Sequence, residues 1–81
     1  MNTSVLETIQ FFLTKTFYVK PQHVKPYTRI HEDLRLNQME FLEMVVTVEN
    51  TYQIQLADNE LGRCKKINDL ALITERALGR I

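Results

Sequence analysis

With 81 residues, the chain has room for one domain and a modest core, a size usually stabilised by packed helices, disulfides or a metal. Hydrophobic residues make up 44% and charged residues 25%, with only two glycines and two prolines, which excludes a disordered chain and disfavours a many-stranded sheet. Ten basic side chains balance ten acidic ones, so the overall charge gives no reason to expect nucleic acid or an anionic membrane as partner.

The expected elements follow in chain order. Val5, Leu6, Ile9, Phe12, Leu13 and Phe17 recur at spacings of three and four and predict an amphipathic helix over Val5 to Phe17. Ser4 followed by Glu7 is a capping-box pair for its start. From Tyr18 to Leu36 the pattern breaks at Pro21 and Pro26, each of which removes a backbone donor and disfavours helix before it. This long connection is expected to hold itself with Val24, Tyr27, Ile30 and Leu34, and to include a short helical turn around Gln22 to Lys25.

A second helix is predicted over Gln38 to Tyr52, capped by Asn37 with Glu40 three residues on. Its apolar positions Met39, Phe41, Leu42, Met44, Val45, Val46, Val48 and Tyr52 exceed one buried stripe, so some should face outward and mark a contact surface. A short helical turn is expected over Asp58 to Arg63, with Asp58 as cap and a kink near Gly62. The last helix should run from Asn68 to Leu78, with Asn68 as cap and Gly79 as its stop. Leu70, Ile73 and Leu78 would form its inner side, with Ala71 and Ala77 beside them.

Candidate chemistry is sparse. Cys64 is the single cysteine, so no internal disulfide forms, and no Cys/His set has zinc spacing. His23 and His31 lie in the first loop without a hydroxyl and carboxylate arranged around them, and Lys65–Lys66 reads as a solvated doublet. No apolar run approaches the ~20 residues of a membrane span, and the polar start lacks the regions of a signal peptide. The expectation is a monomer in a reducing cytoplasm, with no enzyme activity and no metal.

The run EDLRLNQMEFLEMVVTVENTYQIQLADNELGRCKKINDL resembles the acyl and peptidyl carrier proteins, whose pattern is approximately E-D-L-G-x-D-S-L-D-x-V-E-L-V-x-x-L-E-x-x-F-x-I-x-I-x-D, ending in V-x-D-L. Glu32, Asp33 and Leu34 match its beginning, Met39 stands for the motif leucine and Glu40 for the following acid. Leu42, Glu43, Val45, Glu49, Tyr52, Ile54, Leu56 and Asp58 fall in register, and Ile67, Asp69 and Leu70 fit V-x-D-L. The match needs no gap from Val19 to Leu70, and it places Cys64 at a family isoleucine, hence in the core. The resemblance implies an all-α fold of the acyl-carrier type, a four-helix bundle with three main helices, one short third helix and a long first loop, over residues 1–81.

In that family the motif serine carries 4′-phosphopantetheine through a phosphodiester. At the corresponding place this chain has Gln38, and the neighbouring motif glycine and aspartate are Arg35 and Asn37. A carboxamide offers no nucleophilic hydroxyl, Ser4 is the only serine, and Thr28 and Thr47 are out of register. The expectation is therefore a carrier-like module of fatty-acid or polyketide-type acyl metabolism, without the prosthetic group. It would dock to synthases, ligases or transferases through Arg35, Asn37, Met39, Glu40, Leu42, Glu43, Val46 and Glu49 on and before the second helix. Two alternatives stand: a working acyl carrier, if Gln38 is not native or the arm attaches elsewhere, and an unrelated small helical interaction domain. A DNA-reading helix is disfavoured, because no Lys or Arg occurs between Gln38 and Tyr52.

Overall fold

The computed structural model describes residues 4–80, and its helices run in the order α1 (Val5–Phe17), α2 (Gln38–Tyr52), α3 (Asp58–Leu61) and α4 (Ile67–Ala77), with a 3-10 turn at Pro21–His23 in the first loop. The expected all-α bundle is what forms. α1 begins with the Glu7 amide donating to Ser4 Oγ at 3.1 Å while the Glu7 carboxylate accepts the Ser4 amide, so two orphan donors of the first turn are satisfied reciprocally. Val5, Ile9 and Leu13 are buried, and Leu6, Phe12 and Phe17 pack at the edge of the core. α1 packs against both α2 and α4 and is the central strut of the bundle.

The first loop differs from expectation in two details. Its helical turn spans Pro21–His23 rather than Gln22 to Lys25, because proline's fixed φ suits the first position of such a turn. Val24 and Ile30 are buried and Leu34 half-buried, but Tyr27 is 69% exposed and is not an anchor. The Thr28 amide donates to the Lys25 carbonyl at 3.0 Å, which puts Tyr27 at the tip of a tight turn. Thr28 goes inward instead: its hydroxyl donates to the His23 carbonyl and accepts the Lys25 amide, at 3.0 and 2.9 Å. A buried hydroxyl with both roles filled carries no desolvation penalty.

The loop is then clamped to the start of α4. The Ile30 amide donates to the Lys65 carbonyl and the Ile67 amide to the Thr28 carbonyl, each at 2.9 Å, forming an antiparallel bridge between Arg29 and Lys66. Ile30, Ile67, Leu70 and Met44 lie fully inside, so this clamp joins two segments that each send a side chain into the core.

The short helices correct the expected caps. Asp58 is the first residue of α3, whose N-cap is Ala57. α4 starts at Ile67 after Lys66, not at an Asn68 cap. The residues leading into it are held by Asp69, whose carboxylate accepts the Lys65 and Lys66 N–H groups at 2.9 Å each. α4 buries Ile67, Leu70, Ala71, Ile73 and Thr74, with Leu78 half-buried and Ala77 exposed. Gly79 has φ 75°, the left-handed conformation that ends helices.

Candidate functional site

The start of α2 is built by two interlocked residues. Asn37 Oδ1 accepts the Glu40 amide at 2.8 Å, and the Glu40 carboxylate accepts the Asn37 amide at 2.9 Å, so the expected capping box is present. Just before it, Arg35 is exposed and adopts φ 59°, a backbone shape that favours glycine. Leu36 is buried, and its carbonyl accepts a hydrogen bond from His31 Nδ1 at 2.7 Å. The His31 ring also lies 5.7 Å from that of Phe41, centroid to centroid. His31 thus fastens the loop to α2, a role that no spacing in the sequence announces.

Gln38 is the first residue of α2 and is exposed. Its side chain borders a cleft of about 350 Å3 between α2 and α3. Phe41 and Leu42 form one wall, Asp58 and Leu61 the other, and His31 and Lys65 lie at the margin. Asp58 and Lys65 come to line the same cleft as Gln38 only through the fold, so a linear motif could not place them here.

Met39, Leu42 and Val46 are 81%, 44% and 52% exposed. Steps of three and four along α2 put them on one outward stripe, while Phe41, Met44, Val45 and Val48 face the core. The excess of apolar residues in α2 is therefore divided between two faces. The three acids differ in their duties. Glu40 closes the capping box, and Glu49 Oε2 accepts the Leu56 amide at 2.8 Å, tying α2 to the loop that follows. Glu43 is exposed, and among the described residues its carboxylate is the one of the three without an internal hydrogen bond. Arg35, Asn37, Met39 and Glu40 thus gather at the start of α2, while Leu42, Glu43 and Val46 continue the same outer face. Glu49 is turned toward the α2–α3 loop.

No nucleophile with an adjacent base is assembled around the cleft. Cys64 is buried, and burial, with the Asp69 and Glu60 charges, pushes its thiol up to about 11. Such a thiol is protonated at neutral pH and inert. Among the described residues no group of His, Cys, Asp or Glu could hold a metal ion, and no helix is long and apolar enough to cross a membrane.

No family model matches the chain. Curated relatives do. An acyl carrier protein of Onion yellows phytoplasma (strain OY-M) is 32% identical over 66 residues, which span 82% of this chain and 87% of the relative. The chain belongs to the acyl carrier protein family. An acyl carrier protein of Phytoplasma australiense is 28% identical over 91% of this chain and 97% of its own length. One of Helicobacter hepaticus (strain ATCC 51449 / 3B1) is 26% identical over 85% of this chain and 91% of its own length. The acyl carrier family is one of carriers rather than enzymes.

Proposed function

We propose that this chain is a single carrier-like domain that cannot take up phosphopantetheine and works by docking α2 onto cytoplasmic enzymes of fatty-acid or related acyl assembly, such as synthases, ligases or transferases. The observation that carries the reading is Gln38, exposed at the first position of α2, where the family motif has its serine. The residues present do not fit a phosphodiester-linked arm. Forming that ester requires an alcohol to attack the pyrophosphate of coenzyme A, and a carboxamide has none. The hydroxyls nearest in sequence do not replace it: Thr28 is buried with both hydrogen-bonding roles filled, and the Thr47 hydroxyl donates to the Glu43 carbonyl at 3.0 Å.

Docking does not depend on the missing group. The stripe of Met39, Leu42 and Val46 beside Glu43 offers apolar area flanked by negative charge, and α2 has no cation to oppose it. That combination suits a shallow apolar groove rimmed by Lys or Arg, where charge guides encounter and the buried stripe sets residence time. The enzyme would engage one carrier-like monomer at a time, since one stripe fits one groove. Intact-protein mass after incubation with coenzyme A and a broad-specificity phosphopantetheinyl transferase tests the first half of the reading. An unchanged mass is expected; addition of one phosphopantetheine would overturn it and restore a working carrier, as the relatives are named.

A further inference from the structure

The zero net charge conceals a segregation. From Thr8 to His31 the chain contains no Asp or Glu but has Lys15, Lys20, Lys25 and Arg29. From Glu32 to Glu60 it has seven acids against the single Arg35. Arg29 is held by Glu32 and Asp33, at 2.6 and 3.1 Å, whereas Lys15, Lys20 and Lys25 are exposed and make no ion pair among the described residues.

The fold brings these lysines together with exposed aromatic rings. At the end of α1, Tyr18 takes a left-handed turn with φ 58°, and the chain doubles back so that Gln10 Nε2 donates to the Pro21 carbonyl at 2.8 Å. The 3-10 turn therefore lies along the outer side of α1. Between them runs a groove of about 500 Å3, walled by Phe11, Thr14 and Pro21, with Lys15 Nζ 5.5 Å from the centre of the Phe11 ring. On the far side of the same turn, His23, Lys25 and Tyr27 line a second depression. The result is a basic strip with Phe11 and Tyr27, 65% and 69% exposed, spaced among its cations. An acid stands at each end, Glu7 in the groove and the paired Asp33 in the depression.

We propose that this basic, aromatic strip is a docking surface for the α2 face of a second copy of the same chain. The two surfaces complement each other in kind. α2 offers Met39, Leu42 and Val46 beside Glu43 and no cation, and the strip offers aromatic surface flanked by lysines. Three free lysines closed off by acids are too few to track a phosphate backbone, which takes many such contacts, but they match one short acidic helix. The contact joins two different faces, so it is heterologous and leaves each pair with one free face of each kind. Because α2 is also the face assigned to partner enzymes, self-association and enzyme docking exclude each other. The inference needs only the exposed α2 face, and it is tested on the purified chain without any enzyme, so it can fail while the enzyme-docking reading stands.

The test is sedimentation equilibrium at about 20 mM and about 300 mM salt, spanning the range over which screening of exposed charges becomes strong. At low salt the average mass should climb from 9.6 kDa through twice that and beyond as concentration rises, because each pair keeps one free face of each kind, and the association should weaken roughly tenfold at high salt. Lys20→Glu with Lys25→Glu reverses the strip, and Met39→Lys with Glu43→Lys reverses the α2 face while leaving the Asn37–Glu40 cap intact. Each double variant alone should stay monomeric, yet the two mixed should form a heterodimer, since each keeps the face the other lost. Circular dichroism checks folding, and Lys20→Gln with Lys25→Gln repeats the strip test with a milder change. A constant 9.6 kDa at low salt, variants that associate like the parent, or a mixture that stays monomeric would each overturn the proposal. Binding of the parent to anionic phospholipid vesicles without self-association would overturn it too, assigning the strip to a lipid surface.

Discussion

Asn37 and Glu40 exchange hydrogen bonds across the first turn of α2, side chain to amide in both directions, at 2.8 and 2.9 Å. The pair fixes where α2 begins, while burial of Phe41, Met44, Val45 and Val48 turns Met39, Leu42 and Val46 outward. Asn37→Ala removes one of the two bonds and frees the Glu40 carboxylate from its place. It should cost about 1 kcal/mol, lowering the melting temperature by roughly 4–8 °C for a domain of this size. Thermal denaturation followed by circular dichroism measures it. Asn37→Asp keeps the acceptor and should leave the melting temperature within a degree or so of the parent, which separates loss of the cap from loss of shape.

Arg35 presents the opposite case, a residue poorly suited to its backbone. At φ 59° an L side chain costs about 1–2 kcal/mol, while glycine there costs about 0.5–1 kcal/mol in unfolded-chain freedom. Arg35→Gly should therefore stabilise the fold by about 0.5–1 kcal/mol, seen as a higher urea midpoint with an unchanged slope. Arg35→Ala keeps the strain and should give no such gain.

These two positions show what the sequence could convey. The helices α1 and α2 were readable to the residue, because Ser4/Glu7 and Asn37/Glu40 are local pairs and the apolar spacing beyond each is regular. The strain at Arg35 was legible as a departure from the family glycine, though not as an angle. Tyr27 and the caps of α3 and α4 were misread for one reason. Each depends on where a turn places the chain, and an aromatic side chain or a polar residue before an apolar run looks the same whether it points in or out. The His31–Leu36 and Glu49–Leu56 bonds, like the Asp58 and Lys65 margins of the cleft, join residues that have no periodic relation. The strip on the first loop was hidden by a net charge of zero, since a sum cannot report how its members are distributed.

On the proposed reading, the modification site can be rebuilt stepwise. Gln38 is exposed and its side chain makes no hydrogen bond among the described residues, so Gln38→Ser should fold normally. It restores the alcohol but leaves Arg35 and Asn37 in place of the motif glycine and aspartate. The single variant should be labelled poorly by a phosphopantetheinyl transferase, and the triple variant with Asn37→Asp and Arg35→Gly several-fold faster, measured as the rate of mass gain. Equal rates would show that the neighbours do not matter to recognition.

Acid should act on the fold through Asp69. Hydrogen bonds from the Lys66 and Lys65 amides, with the Lys66 charge, hold its carboxyl below the ordinary 3.8 despite partial burial. A group depressed in the folded state contributes stability above its unfolded value and loses it as pH falls through the folded one. Stability should thus be flat near neutrality and decline once pH drops below 3.8. Asp69→Ala should cost about 1 kcal/mol at pH 7, in line with loss of a helix-start acceptor, and should show a shallower decline in acid. Urea denaturation at a series of pH values tests both. A variant with the parent's acid slope would assign the decline to other carboxylates.

Cys64 makes a kinetic prediction, and it turns on the same region. Its thiol sits 5% exposed beneath α3 and α4, with Sγ 3.6 Å from the Glu60 carbonyl, and is pushed from 9.0 to about 11 mainly by burial. At pH 8 that shift alone reduces the thiolate from about one part in ten to about one in a thousand, so alkylation should be ~100-fold slower than for a free cysteine. Steric protection slows it further, until the reaction proceeds only through opening of the α3–α4 region. Iodoacetamide labelling followed by mass should therefore be slow in the native protein and reach the ordinary rate in urea. The pH dependence separates the two causes: a labelling rate that still climbs steeply above about pH 10 reflects the raised thiol, whereas a plateau there would mean that access alone is limiting.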